Sequence, residues 1–158
     1  MKIRNVVRWI GMIDYLEYQD AMEKIERFLQ SPETIPVTLF ITSEGGFVPI
    51  AYSFCQEVRM RSIPLNTVIV GRADSAAIPI ALMGKIRAIE RESHIFLHPL
   101  QFSEDEEYEK KENMTNWYLR TIQKNTKLKY CQIRKMMEDE TLLNAEQAKS
   151  YGFVQEVL

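Results

Sequence analysis

Along its 158 residues the chain alternates between short apolar runs and longer stretches in which apolar residues return every third or fourth position. Residues 5–10 read as a first strand, and Gly11 stops it. Asp14 is placed to cap a helix reaching about Leu29. In it Tyr18, Ala21, Ile25, Phe28 and Leu29 fall on one face. Pro32 and Pro36 bracket a loop. Residues 37–41 are almost wholly apolar without alternation, as in a strand buried on both faces. A second helix, from just after Gly46 to about Arg61, spaces Ile50, Phe54 and Val58 by four. Pro64 breaks it. Residues 65–70 form the next buried strand, and Gly71 ends it. A helix over about 75–83 and strands at 86–89 and 95–98 follow. Strand and helix in this alternation predict parallel βαβ units with right-handed crossovers.

The C-terminal third is different in character. A charge run, SEDEEYEKK from Ser103 to Lys111, opens a long helical stretch to about Thr126. Two short helices follow, near 131–138 and 144–151. Asn144 with Gln147 makes a capping-box pattern. Gly152 suits a helix C-terminus, and residues 154–158 suit a terminal strand. No internal repeat and no low-complexity linker appears. One domain over 1–158 is the natural division for a chain of this length.

Composition narrows the function classes. Hydrophobic residues make up 46%, as in a globular protein rather than a disordered one. A net charge of −2 gives no electrostatic case for nucleic acid or an anionic membrane. Cys55 and Cys131 lack metal-type spacing and read as small core residues. The N-terminal apolar run is too short for a signal peptide, and the longest apolar stretch, residues 76–83, is too short to cross a bilayer. These readings predict a cytoplasmic protein without metal or cofactor.

The candidate chemistry lies in GRADSAAIPIALMG, Gly71 to Gly84, and HIFLHP, His94 to Pro99. Ser75 stands at a helix start, where free backbone N–H groups can stabilise an oxyanion. A serine becomes a nucleophile when a base takes its proton. The chain has two histidines, His94 and His98, four residues apart and so on one face of a strand. His98 lies at the strand's C-terminal end, as Ser75 follows the C-terminal end of another, and ligands of open parallel sheets bind at that edge. Taken singly, each has a bland reading: a first-turn helix serine, and a structural histidine before a proline. Their convergence on one sheet edge favours chemistry. Gly45 and Gly46, in ITSEGG, make a turn whose N–H groups can face a developing charge. Asp139 and Glu140 are the acidic candidates to orient the histidine, with solvated surface charge as the alternative. Asp74 either raises the serine's pKa by pointing inward or caps the helix that Ser75 begins.

These segments resemble the proteolytic subunit of the Clp-type ATP-dependent protease, ClpP. The family's INSPGG is similar to ITSEGG here, its GQAASM to GRADSA, and its MIHQP to FLHPL. Its C-terminal pattern, Arg-Asp-x-Phe-Leu-Ser-Ala leading to Glu-Ala-x-x-Tyr-Gly-Leu-Val, resembles DETLLNAEQAKSYGFV. The resemblance spans about Val6 to Leu158. It implies a ClpP/crotonase-like α/β fold, a superhelix of ββα-type units with parallel buried strands and a helical C-terminal third. It implies a serine peptidase with Ser75 as nucleophile, His98 as general base, Glu140 as orienter with Asp139 in reserve, and the N–H groups of Gly46 and Ala76 as oxyanion donors. It also implies peptide substrates, a homo-oligomeric ring of seven subunits, single or stacked in pairs, and an AAA+ unfoldase as partner.

The departures from the family define the rival readings. A glutamate stands where the family has its catalytic aspartate, and Asp74 replaces the alanine before the nucleophile. QFSEDEEYEKK replaces the glycine-rich segment after the family's histidine. A catalytically weak ring subunit that assembles with or regulates an active partner fits these changes. Acyl-CoA chemistry on the related crotonase fold is a third reading, which needs two backbone donors but no Ser–His pair.

Overall fold

The computed structural model describes residues 3–30 and 36–158. The loop expected between Pro32 and Pro36 lies outside them, apart from Pro36 itself. In chain order the first elements are β1 (Val6–Ile10), α1 (Tyr15–Leu29), β2 (Val37–Ser43), α2 (Val48–Met60), β3 (Leu65–Asp74) and α3 (Ala77–Ala81). Then come β4 (Arg87–Ile89), β5 (His94–Phe96), α4 (Tyr108–Asn125), α5 (Tyr130–Glu138), β6 (Leu142–Asn144), α6 (Ala145–Tyr151) and β7 (Glu156–Val157).

The strands form one sheet in the order β1-β2-β3-β4-β7, all parallel, and β3 forks. Its first half pairs with β4 through Thr67–Ile69, and its last three residues pair with β5, Arg72 opposite His94 and Asp74 opposite Phe96. Gly71 sits at the fork with φ +77. The sequence predicts that this glycine ends the strand. Instead it absorbs a bulge, because the register with β2 slips from Ile41 opposite Ile69 to Ser43 opposite Ala73. Ser93 Oγ accepts the Gly71 N–H at 2.7 Å, and Thr42 Oγ1 donates to Val70 O at 2.8 Å, so side chains satisfy two backbone groups at the bulge. The strand therefore runs on to Asp74 and delivers Ser75 to the sheet edge.

Three further boundaries differ from expectation. α3 covers five residues rather than the stretch 75–83. α4 begins at Tyr108, after most of the acidic run. β6, antiparallel to β5, is too short for any periodicity to announce it. The caps fall where the sequence puts them. Asp14 accepts the Glu17 N–H at 2.9 Å, Asn144 and Gln147 close their capping box, and Gly152 takes φ +87.

The core lies between the sheet and its helices. Trp9 meets Phe54 edge-on at 5.2 Å, and Ile25, Leu39, Ile41 and Ile69 are fully buried around them. Each such side chain contributes about 1.5–3 kcal/mol. From α4, Tyr118 is buried completely and reaches the end of β3. Half-buried Arg87 ties the C-terminus to the sheet by donating to Phe153 O, Asn125 O and Gly152 O, and burial holds its pKa below the ordinary arginine value. No helix among the described residues is long and apolar enough to cross a membrane.

Candidate active site

Ser75 follows β3 directly, at the tip of a strand-turn-helix corner. Its φ of +49 lies in the left-handed region that few residues other than glycine occupy. Such a corner presents a serine side chain above the sheet edge. The corner is held by its own backbone. Ser75 N–H donates to Phe96 O at 3.0 Å, fastening it to β5. Ser75 O accepts the N–H of Ile78 at 3.0 Å and the Tyr118 hydroxyl at 3.1 Å. The helix that Ser75 was expected to begin starts two residues later.

The two expected oxyanion donors are free. Among the described residues, neither Gly46 N–H nor Ala76 N–H donates to a backbone carbonyl. They belong to segments in contact. A Cβ built on Gly45 would meet Ser75 Cβ at 2.8 Å, Asp74 O at 3.0 Å and the Ala76 nitrogen at 3.3 Å. Gly46, with φ +149, lies flat against Ile13, since Phe47 N–H donates to Ile13 O and Ile13 N–H to Gly45 O, both at 2.8 Å. Only glycines fit this approach.

His98 lies two residues beyond β5. Its ring leans on Phe96, centroids 5.4 Å apart. Its Nδ1 is 2.8 Å from Pro99 O. A carbonyl oxygen only accepts, so in the neutral ring Nδ1 carries the hydrogen and Nε2 keeps the lone pair that can take a proton. The two carboxylates expected to orient this ring lie elsewhere. Glu140 is exposed, and its carboxylate makes no hydrogen bond to His98. Asp139 is paired with Lys135 at 2.9 Å. Glu140 nevertheless stands beside Thr141, whose carbonyl accepts the N–H of Leu97, the residue before His98, at 2.9 Å. The Ser75 hydroxyl and the His98 ring share no hydrogen bond either. The arrangement thus holds a serine on a strained corner, free N–H donors on two touching segments, and a histidine whose tautomer is set by its own backbone. Chemically that suits acyl transfer. A groove of about 440 Å³ opens beside it, lined in part by Pro99, Leu100, Leu119, Tyr130 and Met137.

Asp74 does not cap α3. It is 1% exposed, its Oδ2 accepts from Arg72 Nε at 2.6 Å, and its Oδ1 has no hydrogen bond. His94 Nε2 is 3.8 Å from that oxygen. Tyr118 belongs to the site as well. Burial, and then the Asp74 carboxylate, push its phenol well above the ordinary tyrosine value, so it stays a donor. One residue in a long helix gives no sequence signal of this role. Tyr118→Phe should cost about 1 kcal/mol, since Ser75 O keeps its bond from Ile78. Thermal unfolding of the variant measures it, and an unchanged midpoint would remove Tyr118 from the support of the corner.

Residues 6–158 match the family model for Clp protease. The chain belongs to the Clp protease family. It is similar, at 26% identity over 156 residues, to the ATP-dependent Clp protease proteolytic subunit 1 of Bifidobacterium longum (strain NCC 2705), over 92% of this chain and 67% of that protein. It is also similar to a solved mutant ClpP1 from Listeria monocytogenes, with a TM-score of 0.88 and 25% identity over 98% of this chain and 91% of that one. By family and fold it is a ClpP-type proteolytic subunit.

Proposed function

We propose that the chain is a serine peptidase that cleaves peptide bonds through an acyl-enzyme on Ser75. One observation carries the reading. Ser75 occupies a left-handed corner whose N–H is bonded to Phe96 O, two residues before His98, so a single backbone bond draws nucleophile and base to one edge. In the mechanism His98 Nε2 takes the hydroxyl proton as Ser75 Oγ attacks the peptide carbonyl. The carbonyl oxygen becomes an oxyanion facing the N–H groups of Gly46 and Ala76. The imidazolium returns the proton to the leaving amine. Water, activated by the same ring, releases the acyl group and restores the hydroxyl. Pro99 O holds the ring's tautomer at rest, and Glu140, next to the Thr141 carbonyl that holds Leu97, is the proposed orienter. His98→Gln should lower the hydrolysis of a fluorogenic peptide on the order of a thousandfold or more while leaving unfolding unchanged. Equal turnover by the variant would rule out His98 as base.

A ring completes the proposal. Tyr15, Leu16 and Phe47 are exposed around an apolar hollow of about 480 Å³ that also touches Pro49 and Ile50. Head-to-tail burial of such a face in a closed ring avoids open fibres. By family likeness the ring has seven subunits, stands alone or stacks in pairs, and receives substrate from an AAA+ unfoldase in the cytoplasm. Sedimentation at micromolar concentration should find the closed ring, and a monomer would contradict it. The second reading, a catalytically weak ring subunit that supports an active partner, draws on the resting contact of His98 with Pro99 O and the outward position of Glu140. Turnover of a fluorogenic peptide by this chain alone separates the two, since only the first reading gives it.

A further inference from the structure

Three charged residues gather at the strand ends that form the site. They are Glu44 after β2, and Arg72 and Asp74 on β3. Each stands where the family segments quoted above carry a neutral residue: proline for Glu44, glutamine for Arg72 and alanine for Asp74. The two on β3 are complementary. Alternation puts both on one face, and Arg72 binds the Asp74 carboxylate through Nε at 2.6 Å and again through Nη2. Asp74 is buried to 1% exposure, while the Arg72 side chain is 43% exposed. An ionised carboxylate out of water needs its partner, and removal of that partner leaves an uncompensated charge. Here the charge sits on the residue before the nucleophile. Glu44 is 3.9 Å from Arg72 Nη1 and largely exposed, so this outer arm is screened. His94, across on β5, leaves Asp74 Oδ1 without a hydrogen bond, and Tyr118 faces the same carboxylate from α4.

We infer that Arg72 is a positioning residue for the Ser75 corner. It occupies the Asp74 carboxylate sideways and keeps that negative charge off the nucleophile and its oxyanion donors. The inference rests on Ser75 being the nucleophile, but its structural part does not. Without Arg72 the Asp74 carboxylate seeks other donors. In the adjoining turn Ser75 N–H is held by Phe96 O, whereas the Ala76 N–H donates to no backbone carbonyl among the described residues. A carboxylate turned that way competes with an incoming oxyanion, by placing like charge beside charge that develops only in the transition state. The loss therefore falls on kcat and spares KM.

A double-mutant cycle tests it, with two readouts. The first is the rate at which a fluorophosphonate probe acylates Ser75, with kcat and KM for a fluorogenic peptide. The second is hydrogen exchange of the Ser75 amide, which needs no catalysis. Arg72→Gln should slow acylation roughly tenfold or more and lower kcat with KM unchanged, as a small misplacement at a reacting centre does. It should also speed exchange of the Ser75 amide about tenfold. Arg72→Lys, which keeps the charge, should stay within about threefold of wild type in both. The neutral pair Arg72→Gln/Asp74→Ala should return both to near wild type, because no carboxylate then needs a partner. It also stands in if Arg72→Gln does not fold, since it leaves no unpaired buried charge. Failure of Arg72→Gln to fold while the pair folds normally supports the inference. If the pair is as impaired as Arg72→Gln, or if Arg72→Gln matches wild type, the inference is overturned. If wild type shows no acylation, the peptidase reading fails, and the exchange rates alone decide the role of Arg72.

Discussion

Ser75→Ala should abolish peptide hydrolysis, with a loss on the order of 10⁴-fold or more, and leave the fold intact. Among the described residues the hydroxyl makes no hydrogen bond, and Ser75 is held through its own backbone alone: its N–H on Phe96 O, and its carbonyl under the Ile78 N–H and the Tyr118 hydroxyl. Alanine tolerates the left-handed corner about as poorly as serine, so the change in stability should stay within about 1 kcal/mol. Turnover of a fluorogenic peptide and urea unfolding, run on the same preparation, read the two halves. A variant that keeps activity would remove Ser75 from the chemistry. One that loses activity and stability together would make the serine structural.

The reverse pattern is expected at Gly46. A methyl group there would fall 2.5 Å from Ile13 O and 2.7 Å from Ile13 N, both backbone atoms that cannot swing away. The φ of +149 adds strain for any L side chain. Gly46→Ala should therefore cost about 3 kcal/mol or more in stability, by parting the Gly46 loop from Ile13. It should remove activity as well, because the freed N–H moves with the loop. A Gly46→Ala protein with wild-type unfolding would show that this close approach is not needed.

The parts of this account that sequence could carry were those with a local cause. Apolar runs and fourfold spacing announced β2, α1 and α2, since burial on two faces or one stripe is written into those residues. Asp14, Asn144 and Gly152 announced their caps because caps depend on one side chain or one φ. Gly71 misled for an instructive reason. A glycine with positive φ suits a strand end and a bulge equally, and only the neighbours β2 and β5 decide between them. β6 was hidden because three residues have no period, and its pairing with β5 is a long-range event. At the site, motif likeness named Ser75, His98, Gly46 and Ala76. It could not reveal Tyr118 beneath the corner, nor Pro99 O on His98, since both are contacts between distant or irregular segments. For Asp74 the sequence leaves an inward carboxylate and a helix cap equally open, and only the bond from Arg72, two residues away on the same strand face, excludes the cap.

The central claim is that Ser75 is an activated nucleophile. Mapping a fluorophosphonate adduct by mass spectrometry tests it most directly, because the probe reacts with a serine only where a base and an oxyanion site are assembled around it. A single adduct on each chain, in the peptide that contains Ser75, is the expected result. An unmodified protein, or an adduct on another serine, would contradict it.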